Sequence, residues 1–404
     1  MTALVVRGIA QLCTCDPQHG APPGVIEDAA LVAVDGRITF AGRETELSSA
    51  EVADVAEDVD LGGAAVVPGF VDSHTHLVWL GHRGDEYAAR AEGATYEGIA
   101  AAGGGIRATV AATAAGDVAS LTAAALPRAQ RMLRCGSTTV EVKSGYGLEH
   151  GAEMRQLDAA RRIGAEDDTP AVVTTYMPLH AVPFGDRATY LDEVARVGVE
   201  HAAERARFTD VFCDADAYTV EECERVLLAA RERGMRLKVH AEQRSRCGGA
   251  RLAARLHAVS ADHLEMAGDT DLLALAGAGV VATLLPGAAL VLGGPPPPGR
   301  RALEAGCTVA LATDCNPGTC FSESMPLMCS LAVATAGLTP AEALLAATAG
   351  GAAALGLDDR GALRPGMRAD FVVLRSRHWI DLAYHLGGDV VAEVYRQGRR
   401  VVAW

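Results

Sequence analysis

The chain has 404 residues, half of them apolar and 22% charged, a globular composition long enough to bury a large core. Its net charge of −15 at pH 7 argues against nucleic acid or an anionic membrane as a partner, and an acidic substrate would need a local cation. Ten cysteines without a CxxC pair read as reduced thiols, and the start MTALVVRGIAQLC lacks a basic stretch followed by a long apolar run, so a cytoplasmic protein is expected.

Residues 1–60 read as short strands, with Asp35-Gly36 as a hairpin signal. Residues 361–404 read alike, with Gln397-Gly398 between two strand-like runs. The two ends are expected to pair into a small β-sandwich module around a central domain, 61–360. In that domain eight strand-length apolar runs (65–74, 137–146, 171–180, 208–218, 236–242, 258–264, 280–285 and 308–314) alternate with amphipathic helical segments. Strand–helix alternation means a parallel sheet, and eight repeats predict a closed (β/α)8 TIM-like barrel, an α/β fold. A doubly wound open sheet would need a glycine-rich phosphate turn after the first strand; Gly103-Gly104-Gly105 falls long after it. The uncharged run from Leu272 to Gly299 is broken by glycines and prolines, so it predicts a buried strand followed by a loop, not a membrane span.

Active sites of such barrels lie at the C-terminal ends of the strands. There the sequence places His74 and His76, Tyr146, His180, Asp214 and Asp216, His240, His263 and Asp314. His74 and His76 stand two apart, so on a strand both imidazoles share one face and can reach one metal. With His240 and Asp314 they make a set of three imidazoles and one carboxylate that suits one Zn2+ or iron ion. His263 either joins that set or hydrogen-bonds the reacting groups. Lys143 is expected to brace the Tyr146 turn, Arg244-Ser245-Arg246 to be a solvated loop, and Cys315 to be packing.

VPGFVDSHTH, KVHAE, ADHLE and ALATDCNPG resemble the amidohydrolase superfamily. The finer pattern, in AAAGGGIRATV, RMLRCGSTTVEVKSGYGL, VSADHLE, VATLLPGA and LATDCNPGT, resembles the imidazolonepropionase family, over about residues 66–360. The resemblance implies hydrolysis of the cyclic amide of 4-imidazolone-5-propanoate to N-formimidoyl-L-glutamate, in histidine degradation. It implies His74, His76, His240 and Asp314 as metal ligands, and Arg83, Tyr96, Tyr146, His180, Gln243, Asn316, Gly318 and Thr319 around a small anionic substrate. Asp314 would shuttle the proton, with His263 and His180 orienting or polarising and Arg83 holding the carboxylate.

The chain departs from the family's pattern in three places. It reads HAEQ after the fifth strand where some members have HADE, and Gln243 cannot act as a base, while Glu242 should face away. Pro178-Leu179 precedes His180 in place of Gly-Ala, and GGPPPPGRR follows the seventh strand, as a stiff surface loop or an altered lid. A related cyclic amide as substrate, an aromatic-amine deaminase and a non-catalytic scaffold are the alternatives, and a homodimer stays open.

Overall fold

The computed structural model describes residues 3–48, 56–95, 98–99, 103–183 and 185–403. Eight parallel strands form a barrel in chain order: Phe70–Asp72, Ser137–Lys143, Ala171–Leu179, Phe208–Cys213, Arg236–Ala241, Ser260–His263, Val281–Leu284 and Val309–Leu311. Helices such as Val118–Arg134, His150–Ile163 and Val220–Glu232 connect them on the outside. The last of these starts on a reciprocal cap in which Thr219 and Glu222 each satisfy the other's backbone N–H. Leu272–Gly299 holds more helix than expected: Asp269–Ala278 precedes the seventh strand and Pro286–Leu292 follows it. Among the described residues, no helix is long and apolar enough to cross a membrane.

The barrel closes between its first and eighth strands. The parallel bridge Thr75–Cys315 joins them, with Asp314 N–H donating to His74 O at 3.0 Å and His76 N–H to Cys315 O at 3.0 Å. Below this seam Asp72, fully buried, accepts from Thr313 N and from Thr313 Oγ1 at 2.6 Å. The outer side of the seam is covered by the helical segment 346–354. Gly350 and Gly351 allow this approach, since a Cβ would fall 2.1 Å from Val309 O in one case and 2.1 Å from Val71 O in the other.

The terminal segments build a second, separate sheet of eight strands. Ala3–Cys13 pairs antiparallel with Val25–Val34 and parallel with Glu57–Asp60 and Ala65–Pro68, and Ala65–Pro68 pairs antiparallel with Phe371–Leu374. The predicted run 65–74 is therefore divided. Its first four residues belong to the terminal sheet, and the chain enters the barrel only after Gly69. There the backbone is hard against Thr138, whose Oγ1 would lie 2.3 Å from an added Cβ. Both hairpin signals form two-residue turns with left-handed backbone at each position: Asp35 (φ 48°) and Gly36 (78°), Gln397 (51°) and Gly398 (70°). One apolar cluster runs from Val6 and Leu12 of this sheet through Phe70 into the barrel's Val211, Val239 and Leu284.

Because backbone atoms meet the added methyl, Gly351→Ala is expected to lower unfolding stability by about 1–3 kcal/mol, measured by denaturant titration. Gly277→Ala, where a Cβ meets nothing within 4 Å, is the control and should be neutral or better.

Candidate active site

Alternation along the strands sets which side chains point inward. Glu141 and Lys143, Asp210, Lys238 and His240, and Asp262 all do so, and the five charged side chains among them are fully buried. Lys143 Nζ lies 2.7 Å from Asp210 Oδ2, 2.9 Å from Glu141 Oε2 and 3.5 Å from Asp262 Oδ2. Lys238 Nζ donates to Glu141 Oε2 and to Ser73 O, both at 2.8 Å, and lies 3.5 Å from Asp262 Oδ2. Thr175 Oγ1 donates to Glu141, and Ser260 Oγ donates to Asp262 Oδ1 at 2.6 Å. Lys143 thus differs from its expected role: it braces no turn but joins carboxylates under the site.

The histidines stand on this layer. His74 Nδ1 donates to Asp262 Oδ2 at 2.7 Å, and His240 Nδ1 lies 3.0 Å from Asp210 Oδ2. Asp262 fixes the proton of His74 on Nδ1 and turns its Nε2 lone pair to the strand ends, while Asp210 stands beside His240 Nδ1 without hydrogen-bond geometry. There His74 Nε2 and His76 Nε2 lie 3.6 and 3.7 Å from Asp314 Oδ1, and His240 Nε2 lies 3.4 Å from His76 Nε2. Burial, reinforced by neighbouring positive groups, holds all three imidazoles well below the usual histidine range. His74 Nε2 is buried and has no hydrogen-bond partner among the described residues. His76 Nδ1 and His240 Nδ1 also lack partners there, and neutral imidazoles that converge with a carboxylate while an inward nitrogen is orphaned are a donor set that fits a divalent ion. Burial pushes the Asp314 carboxyl up to about 6. Asp262 goes the other way: burial opposes its charge, but Lys238 and Lys143 outweigh it.

A cavity of about 830 Å3 opens above these atoms. It is lined by His76, Arg83, Tyr146, His180, His240, Gln243, His263, Asp314, Asn316, Gly318 and Thr319, all predicted site residues. Tyr96 lies outside the described residues. His180 stacks on His76, with ring centroids 4.5 Å apart, and its Nδ1 donates to Gly145 O at 3.0 Å. Burial lowers its pKa to about 4, so its free Nε2 is an acceptor. That geometry suits a substrate N–H. Around His263 burial disfavours charge, but Glu265, with Nδ1–Oε1 at 3.6 Å, and Asp314 outweigh it and raise the pKa.

Arg83 is held by Glu86, with Nε–Oε2 at 2.8 Å, while Glu86 Oε1 accepts from Gly105 N–H at 2.8 Å. The guanidinium lies against Gly318, where a Cβ would come 2.2 Å from Nη1. Asn316 has its amide fully engaged within its own loop. It accepts from Gly318 and Thr319 N–H at 2.8 Å each and donates to Asp314 O and Thr319 Oγ1. It therefore shapes the loop that carries Asp314. Glu242 faces away, as expected, and caps the helix Gly249–Arg255 through Gly248 and Ala250 N–H.

Three features went unread in the sequence. The charged layer had a signal, namely charged residues two apart inside otherwise apolar strands, as in VEVK and LKVH. The loop 244–246 is solvated, as expected, with both arginines exposed, but it is also tied down: Asp214 accepts from Arg244 and Ser245 N–H, Arg244 reaches Asp216 at 3.1 Å, and Arg246 reaches Asp271 at 2.6 Å. Glu265 also lines the cavity. Of the GGPPPPGRR loop, Gly294 and Pro295 line the cavity, as does Leu292 just before it.

Asp262→Asn and Asp210→Asn should each weaken metal retention about 10- to 100-fold, read by competition with a chelator. Gly318→Ala should displace Arg83 and raise KM with less effect on kcat, read by steady-state kinetics.

Residues 65–401 match the amidohydrolase family. The chain is 46% identical to the imidazolonepropionase of Deinococcus deserti over 99% of this chain and all of that one. It is 44% identical to the imidazolonepropionase of Streptomyces griseus over the whole of both chains. Among solved structures, an atrazine chlorohydrolase from Arthrobacter aurescens complexed with zinc superposes with a TM-score of 0.70 at 20% identity, covering 99% of this chain and 95% of that one. An adenosine deaminase from Xanthomonas campestris with bound zinc gives 0.70 at 19%, covering 100% and 93%; at these identities the likeness is one of fold. The chain belongs to the amidohydrolase family.

Proposed function

We propose that the protein hydrolyses the cyclic amide bond of 4-imidazolone-5-propanoate to give N-formimidoyl-L-glutamate, as the names of its full-length relatives suggest. The observation that carries the reading is the meeting of His74, His76, His240 and Asp314 at the barrel seam, with neighbouring donor atoms 3.4–3.7 Å apart, beneath a cavity that holds an arginine. These four residues would hold one Zn2+ or iron ion. When bound, such an ion supplies Lewis acidity, polarising the amide carbonyl and making water a competent nucleophile near neutral pH.

The chain's own residues do the rest. Arg83, steadied by Glu86, pairs with the propanoate carboxylate, and Tyr146 adds a hydroxyl donor beside it. His180 accepts an N–H of the ring through Nε2. His263 orients the attacking water, and Gln243 lies within the substrate cavity. As the carbon–oxygen bond forms and the ring carbon–nitrogen bond breaks, Asp314 takes the water's proton and returns it to the departing nitrogen. Ten free cysteines support a reducing cytoplasm.

Metal-loaded protein incubated with freshly made imidazolonepropanoate should lose the ring absorbance and release N-formimidoyl-L-glutamate in equal amounts. Asp314→Asn should abolish turnover. Arg83→Ala should raise KM about 10- to 100-fold with kcat less changed, because a charge-assisted contact to the non-reacting tail is removed. Elemental analysis should find one equivalent of zinc or iron, and unchanged activity after complete chelation would refute the reading.

A further inference from the structure

Glu265 is out of place by the ordinary rules of burial. Its side chain is only 4% exposed and faces the active-site cavity, yet neither Oε1 nor Oε2 accepts a hydrogen bond from any described residue. A buried carboxylate without donors is costly, and native structures rarely keep one without a use. His263 Nδ1 stands 3.6 Å from Oε1, beyond hydrogen-bond range, and that nitrogen too lacks a partner among the described residues.

The backbone is shaped to put it there. His263 and Leu264 have φ of 81° and 72°, two consecutive left-handed residues, neither a glycine. Such conformations persist where surrounding structure enforces them, and they gather at ligand-binding sites. Here Leu264 N–H bonds Ala241 O at 3.0 Å and Met266 N–H bonds Glu242 O at 2.8 Å, so the strained turn is clamped to the fifth strand on both sides of Glu265.

The other carboxylates of the cavity are engaged. Asp214 accepts from Ala215, Arg244 and Ser245, and Asp216 pairs with Arg244. Asp314 belongs to the histidine cluster, and Gln243 carries no charge.

We infer that Glu265 is a specificity-determining residue whose two oxygens receive the N–CH–N edge of the substrate ring. The inference rests on the proposed ring-opening reaction. That edge carries the ring's one N–H before cleavage, which His180 Nε2 accepts, so the N–H donors that Glu265 takes arise only as the ring opens. When the carbonyl carbon–nitrogen bond breaks and the departing nitrogen takes its proton, the edge becomes a formamidine, which is cationic near neutral pH. A carboxylate and an amidinium match as two parallel N–H···O bonds. Positive charge grows on this edge during the reaction, so Glu265 binds the late transition state and the product better than the ring.

The test compares affinities of metal-loaded protein for N-formimidoyl-L-glutamate and for N-formyl-L-glutamate, which keeps both carboxylates and replaces the amidine by a neutral amide. Calorimetry on wild type should show a preference of about 10- to 100-fold for the formimidoyl compound. Glu265→Gln should lose that preference and lower kcat, while its affinity for the formyl compound and its metal content stay as in wild type. A lost fold cannot mimic a changed ratio between two ligands. Should Glu265→Gln not fold, Glu265→Asp carries the test, since it keeps the charge and withdraws it by one methylene. A wild type without the preference, or a Glu265→Gln protein that keeps it, overturns the inference. If wild type turns over imidazolonepropanoate but Glu265→Gln keeps the preference, the inference alone fails. If wild type shows the preference and Glu265→Gln loses it, but no imidazolonepropanoate is consumed, the inference stands and the reaction assignment fails.

Discussion

Two ammonium groups buried among three carboxylates set the terms for the whole active site. Lys143 and Lys238 are fully enclosed, and either one alone among apolar walls would be untenable. They persist because Glu141, Asp210 and Asp262 neutralise them at 2.7–3.5 Å. The carboxylates in turn use their remaining capacity on Thr175, Ser260 and the Nδ1 atom of His74, with His240 Nδ1 close to Asp210. Removing one partner from such a group leaves an uncompensated buried charge, at a cost of about 3–5 kcal/mol. The layer is therefore rigid, and the imidazoles above it inherit that rigidity in position and in tautomer.

The barrel itself was legible because its signal is periodic and repeated. Most strands are short, largely apolar runs, several of the helices between them are amphipathic, and histidine or aspartate recurs at the runs' ends. The proposed metal ligands stood out at the strand ends, since His74 and His76 two apart share a face of an extended strand, and the family resemblance implied the same four residues. Less legible was where one element ends and the next begins. AVVPGFV is uniformly apolar, and nothing local tells that Ala65–Pro68 pairs with Phe371–Leu374 while Phe70–Asp72 enters the barrel. That choice is made by partners 300 residues away and by the close approach of Gly69 to Thr138.

The site's polar fine structure was legible only in part, for a related reason. Composition names the donors, but only packing decides whom they meet. Arg244, Ser245 and Arg246 are a solvated run, as they look, but nothing local tells that Asp214, Asp216 and Asp271 anchor them. Asn316 looks free to reach a ligand, yet its amide is engaged by its own turn. Glu265 follows a leucine in an ordinary-looking segment. Its significance lies in a left-handed pair of residues and in the donors it does not have.

The seam that closes the barrel joins its first strand to its last, and the ligand cluster straddles it. The geometry proposed to hold a cation and the geometry that completes the ring are one. A growing polypeptide owns no partial version of this centre, because the final carboxylate arrives only after every intervening repeat has been synthesised. Competence should thus switch on late and whole, with no weakly active fragment released prematurely by the ribosome.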